Sequence, residues 1–129
     1  MMDRPRSPSR IVSDRQVRML RSAMGPAIIA ALDDPDVVEV MLNPDGKLWI
    51  DRLGSGREPT GAILSPEDAA RIIKVVANHV GLEVNREHPI LSAELPETGE
   101  RFEGVLPPIA VAPIFAIRKR AAGVIPLAR

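Results

Sequence analysis

An α+β fold, with an antiparallel or mixed sheet packed by two main helices, is what this sequence predicts. Three observations carry that expectation. Short runs of alternating apolar residues come in pairs joined by turn residues, the mark of hairpins. One helix has start and stop signals at both ends. Finally, helices fall between hairpins rather than in regular strand–helix–strand units, which points away from a parallel sheet.

Taken in order, residues 1–12 (MMDRPRSPSRIV) mix Pro, Ser and Arg and predict a mobile basic tail before a domain at 13–119. Ser13-Asp14-Arg15-Gln16 reads as a capping box with Ser13 as N-cap. Val17, Leu20, Met24 and Ile28 then recur at helical spacing as one apolar stripe. Gly25-Pro26 interrupts them, because proline lacks an amide donor and crowds the preceding turn, so a kink or two short helices should end before Pro35. Asp36 to Leu53 predicts a hairpin, with Val38, Val40 and Leu42 on one face of its first strand and Leu48 and Ile50 on its second. Asn43-Pro44-Asp45-Gly46 supplies the turn: proline pre-sets one dihedral and Gly46 tolerates positive φ. Glu58 to Leu64 reads as a short edge strand.

Ser65-Pro66-Glu67-Asp68 is a strong helix start, an N-cap serine followed by proline and two acids that face the helix dipole. Ala69, Ile72, Ile73, Val76, Ala77 and Val80 mark its buried side, and Gly81 its stop. Three more strands are expected at Ile90–Leu95, Arg101–Leu106 and Ile114–Lys119, with 96–100 as the turn between the first two. Residues 120–129 read as the start of a connector.

Hydrophobic content of 45% suits a globular core, but Trp49, Phe102 and Phe115 are the only aromatics, so the core must be largely aliphatic. Without cysteine, neither a disulfide framework nor a thiolate metal site can form. The formal net charge of zero conceals basic ends on an acidic body: residues 1–22 carry six arginines against two aspartates, and 118–129 carry four basic groups and no acid. That arrangement argues against a broad, sequence-specific nucleic-acid surface and leaves room for local anion contacts. The longest apolar run, Gly104–Ile117, has 14 residues and three prolines, short of the ~20 needed to cross a bilayer, and a soluble cytoplasmic chain is expected.

Chemistry-bearing motifs are scarce. A phosphate loop needs two glycines four residues apart, then Lys and Ser or Thr; Gly46-Lys47 is followed by Leu48 and has Met41 where the first glycine belongs. His79 and His88, with Glu83 and Glu87, have no imposed ligand geometry, so no metal site is assigned. Trp49 reads as a sheet-packing residue, since single-strand readers use several aromatics. No nucleophile motif is evident, and no catalytic residue is assigned. Arg101 and Arg118 remain. On strands they could form surface ion pairs with neighbours such as Glu100 or Glu103, or reach a phosphate supplied by another domain.

From Met19 to Lys119 the chain resembles the N-terminal domain of the hexameric traffic ATPases of type IV secretion and conjugative transfer. The matching stretches are MLRSAMGPAIIAAL, VVEVMLNPDGKLWIDRLG, RIIKVVANHVG and AELPETGERFEGVLPPIAVAPIFAIRKR, of which the last is the most specific. The resemblance implies a PAS-like sandwich that packs on a RecA-like ATPase domain, with 120–129 as the linker toward it. It implies ATP with Mg in the full-length enzyme, a homo-hexameric ring, and secretion-apparatus partners at the inner face of the bacterial membrane. It also implies that Arg101 and Arg118 face the nucleotide's phosphates, with Lys119 and Arg120 as weaker candidates. These 129 residues hold no phosphate loop, so no hydrolysis and no cofactor are expected of the chain by itself. Two other readings remain: a stand-alone interaction or regulatory protein that joins rings of a full-length ATPase, and a small-ligand sensor module.

Overall fold

The computed structural model of the chain describes residues 8–95 and 98–119. The elements run α1 (Pro8–Met24), α2 (Pro26–Asp33), β1 (Val37–Leu42), β2 (Lys47–Arg52), β3 (Gly56–Ile63), α3 (Pro66–Val80), β4 (Ile90–Glu94), β5 (Arg101–Val105) and β6 (Ile114–Arg118). All six strands form one sheet in the order β3-β2-β1-β6-β5-β4, and every neighbouring pair is antiparallel. Three helices accompany the sheet, with contacts from α2 to β1 and from α3 to β4 and β6. The predicted α+β class is therefore what the chain adopts.

Side chains fill the interface between helices and sheet. Phe102, Ile28, Leu48, Ile72, Ile73, Leu91, Ile117, Val37, Val40 and Val76 are each less than 2% exposed. Each such burial contributes roughly 1.5–3 kcal/mol. The two phenylalanines stack with ring centroids 5.4 Å apart, which places the aromatic part of the core between β5 and β6. Gly104 lies on the same buried side, and a Cβ there would meet Ile73 of α3 and the Phe102 ring at 3.0 Å. Its missing side chain lets α3 approach the sheet.

Local signals explain most boundaries. Ser65 caps α3, its hydroxyl accepting the Asp68 amide at 3.0 Å, and Gly81 closes the helix in a left-handed conformation with φ of 77°. Gly25 (φ 91°) and Pro26 separate α1 from α2, so the Gly-Pro pair makes two helices. In the β1–β2 turn, Gly46 has φ of 87°, and a Cβ would lie 2.6 Å from the Leu64 carbonyl oxygen. Glycine is thus required twice over at that position.

Two expectations are corrected. The first helix begins at Pro8, not after Ser13, so Ser13–Gln16 lies inside α1 rather than at its start. Proline suits a first helical position because the amide it lacks would have had no intrahelical partner. Of the expected mobile tail, residues 1–7 lie outside the described residues and 8–12 belong to α1. On β1, Val37 rather than Val38 shares the buried face with Val40 and Leu42, since a register irregularity between Val37 and Glu39 resets the alternation. Residues 120–129, including the expected connector, and 96–97 in the β4–β5 turn lie outside the described residues.

Candidate anion site

One row of the open sheet face consists entirely of charged residues. Following the strand register from edge to edge, Arg57, Asp51, Glu39, Arg118, Arg101 and Glu94 stand opposite one another in turn. They project away from the helices because their chain neighbours, such as Ile50, Val40, Ile117, Phe102 and Ala93, fill the core. Three of its five neighbouring pairs join opposite charges and two join like charges, Asp51 with Glu39 and Arg118 with Arg101. Arg118 of β6 and Arg101 of β5 are direct cross-strand partners, next to the Glu39–Arg118 pair at the middle of the sheet. Like charges placed opposite each other destabilise a sheet, so packing alone accounts for neither like-charged pair, and of the two only the arginines offer donors to an anion.

The two guanidiniums lean apart. Arg101 Nε lies 3.5 Å from Glu103, two residues along its own strand, and an Arg101 terminal nitrogen lies 3.5 Å from the Ser92 hydroxyl on β4. Ser92 in turn donates to Glu103 at 2.9 Å. Arg118 reaches the other way, 3.9 Å from Glu39 on β1, and its side chain is 73% exposed. Between them is a surface cleft of about 440 Å³ lined by both arginines, both glutamates, Ala116, Gly99 and Lys119. Ala116 lies across from Glu103 and Met41 in the register, and its small side chain keeps the cleft floor open. Glu100, the other expected partner of Arg101, is buried and accepts a hydrogen bond from Thr98 instead.

Lys119 is held differently. Its ammonium donates to the Asp34 carbonyl at 2.6 Å, and its amide donates to Val38. Asp34 is the centre of this corner: its carboxylate accepts the Asp36 amide at 3.0 Å and Arg52 at 2.9 Å, and Arg52 also donates to Glu58 at 3.0 Å. The Asp34 carboxyl lies below its ordinary pKa, first because it accepts the Asp36 amide and then through Arg52, with partial burial opposing. Arg52 is raised, chiefly by its hydrogen bond to Glu58 and next by that to Asp34. The corner ties the end of α2 to β2 and to the end of β6, fixing the backbone on which Arg118 stands. Arg120 lies outside the described residues.

His79 occupies the last turn of α3, His88 is exposed, and no group of potential metal ligands forms among the described residues. Trp49 is half-buried on the open face between Met41 and Pro59 in the register, with its indole N–H enclosed and without a hydrogen-bond partner. Among the described residues, no helix is long and apolar enough to cross a membrane.

No family model matches the chain. It is 52% identical over 113 residues to a probable conjugal transfer protein TrbB of Sinorhizobium fredii, covering 88% of this chain and 34% of that protein. A conjugal transfer protein TrbB of Rhizobium radiobacter is 50% identical over 113 residues, covering 88% of the chain and 35% of that relative. The chain is homologous to the TrbB/VirB11 family. Its fold also matches the VirB11 ATPase of the Brucella suis type IV secretion system, solved in complex with sulphate, with a TM-score of 0.76 and 27% identity over 90% of this chain and 34% of that one. The matched part of VirB11 is its N-terminal domain. The chain thus spans about a third of the length of its TrbB and VirB11 relatives.

Proposed function

We propose that this chain serves as the N-terminal oligomerisation and nucleotide-cleft domain of a conjugative-transfer ATPase. In this reading Arg101 and Arg118 meet the phosphates of ATP held, with Mg, by a RecA-like domain outside these residues. Lys119 and Arg120 come second, and Lys119 would have to leave the Asp34 carbonyl to take part. The observation that carries the reading is the Arg101–Arg118 pairing on β5 and β6. Two planar cations on directly paired strand positions can each offer bidentate donors to an anion, and an anion relieves their mutual repulsion. Homology to TrbB over most of the chain supports the reading.

The chain does not hydrolyse ATP alone, because nothing in its sequence can wrap a triphosphate as a phosphate loop does. Within a complete subunit it packs over the nucleotide, joins a hexameric ring and meets secretion-apparatus proteins on the cytoplasmic side of the inner membrane. A domain transplant tests this: the chain replaces the matched third of the Sinorhizobium fredii TrbB protein, and ATP hydrolysis and native mass are measured. Hydrolysis by a ring of the chimera, with none by the 129-residue chain, is expected. Turnover by the chain itself, or a folded chimera that neither assembles nor hydrolyses, would contradict the proposal.

A further inference from the structure

Each arginine of the candidate site has a carboxylate on its own flank, Glu103 at 3.5 Å from Arg101 and Glu39 at 3.9 Å from Arg118. Glu103 is fastened on two sides, by Arg101 and by the Ser92 hydroxyl. Glu39 is only 19% exposed, and its β1 position directly across from Arg118 follows from the sheet register. These carboxylates lie on opposite flanks of the cleft that both arginines line. They also place two negative charges at its walls, where any anion entering must meet them.

We infer that Glu103 and Glu39 are place-holders for phosphate: they position the two arginines in the nucleotide-free domain, and a polyphosphate displaces them on binding. This rests on the reading of Arg101 and Arg118 as phosphate contacts. A carboxylate and a phosphate oxygen present the same acceptors to a guanidinium, so the exchange replaces one charge-assisted pair with another. A single phosphate gains little by such an exchange. A ligand with two linked phosphates can engage both arginines together and offset the loss of both glutamates. The site should therefore prefer polyphosphate, and the glutamates set how tightly it is held. They are positioning residues, since they act only through the arginines.

Glu94 provides the control. It stands directly across from Arg101 on the open face, yet it makes no ion pair with it. Glu94→Gln removes an equal charge from the same open face, in the row of Glu39 and the two arginines, without releasing an arginine. The experiment titrates inorganic pyrophosphate into the 129-residue chain and follows the arginine Nε–Hε resonances, with orthophosphate as the single-phosphate comparison.

Glu103→Gln and Glu39→Gln should each tighten pyrophosphate binding by roughly two- to fivefold, the range an exposed ion pair supports. Glu94→Gln should leave it near wild type, and melting temperatures should change little. In the unliganded Glu103→Gln variant the Arg101 resonance alone should move to a freely exchanging position. Equal tightening by all three variants would mean a general charge effect and overturn the inference. So would unchanged affinity in Glu103→Gln and Glu39→Gln while Arg101→Ala and Arg118→Ala weaken binding, a result that leaves the arginines' own role intact. Binding insensitive to both arginines, or absent even from the Glu39→Gln/Glu103→Gln double variant, would overturn the phosphate reading and the place-holder role with it.

Discussion

On β5, Phe102 and Gly104 turn toward helix α3 while Arg101 and Glu103 turn to the open side, so neighbouring residues of one strand build two unlike surfaces. The helix side obeys packing: aliphatic residues, two stacked rings, and a glycine where α3 comes close. The open side is organised by charge, and on β5 and β6 two arginines oppose each other. Like charges side by side cost a sheet stability, whereas every helix-side choice adds to it. The comparison teaches where to look for function: on the face whose residues do not improve the fold.

The contrast breaks if substitutions on the two faces have similar effects on unfolding. The largest effect should come from Phe102→Ala, which removes a fully buried ring and its stack with Phe115. Denaturant unfolding should show a loss of about 3–5 kcal/mol. Gly104→Ala is the converse, adding one methyl where Ile73 and Phe102 leave only 3.0 Å, and should cost about 1–3 kcal/mol by overpacking.

Asp34 should affect stability through pH. Its folded pKa lies below the unfolded value, so the stability it adds is present above the unfolded pKa of about 4 and lost as pH falls through the folded one. Urea unfolding between about pH 5 and pH 2 should show wild type losing more stability than Asp34→Asn, with the two curves converging at the acid end. A constant difference across that range would remove Asp34 from the account of this corner.

The smallest effect on folding should come from the open face. Arg101→Ala and Arg118→Ala should each stay within about 0.5 kcal/mol of wild type, as exposed pairs usually do. A loss above about 2 kcal/mol would assign those side chains a structural role instead.

How legible each face was follows from the range of the interactions that build it. The helix side could be read because its rules are local: Ser65 and Gly81 bound α3, and Gly46 closes a turn, all from near neighbours in sequence. Val37 escaped because a register irregularity is a two-strand property that the alternation of one strand does not carry. The start of α1 escaped because Ser13–Gln16 offered a credible cap inside what proved to be helix.

On the open side, Arg101 and Arg118 stood out as cations on strands. Glu39 did not, since it meets Arg118 only because the first and last strands pair at the middle of the sheet. A lone acid in an otherwise apolar strand, VVEVML, was the available signal, but it carried no hint of its partner. Asp34 was hidden similarly, joined to Lys119 across 85 residues of chain.

The most direct test of the arginine pair is the turnover of the TrbB chimera carrying Arg101→Ala and Arg118→Ala together, measured beside its melting temperature. A fall in kcat of about a hundredfold or more is expected, the scale for removing donors aimed at developing charge, with the ring and its melting temperature preserved. A double variant that hydrolyses ATP at the unsubstituted rate would contradict it.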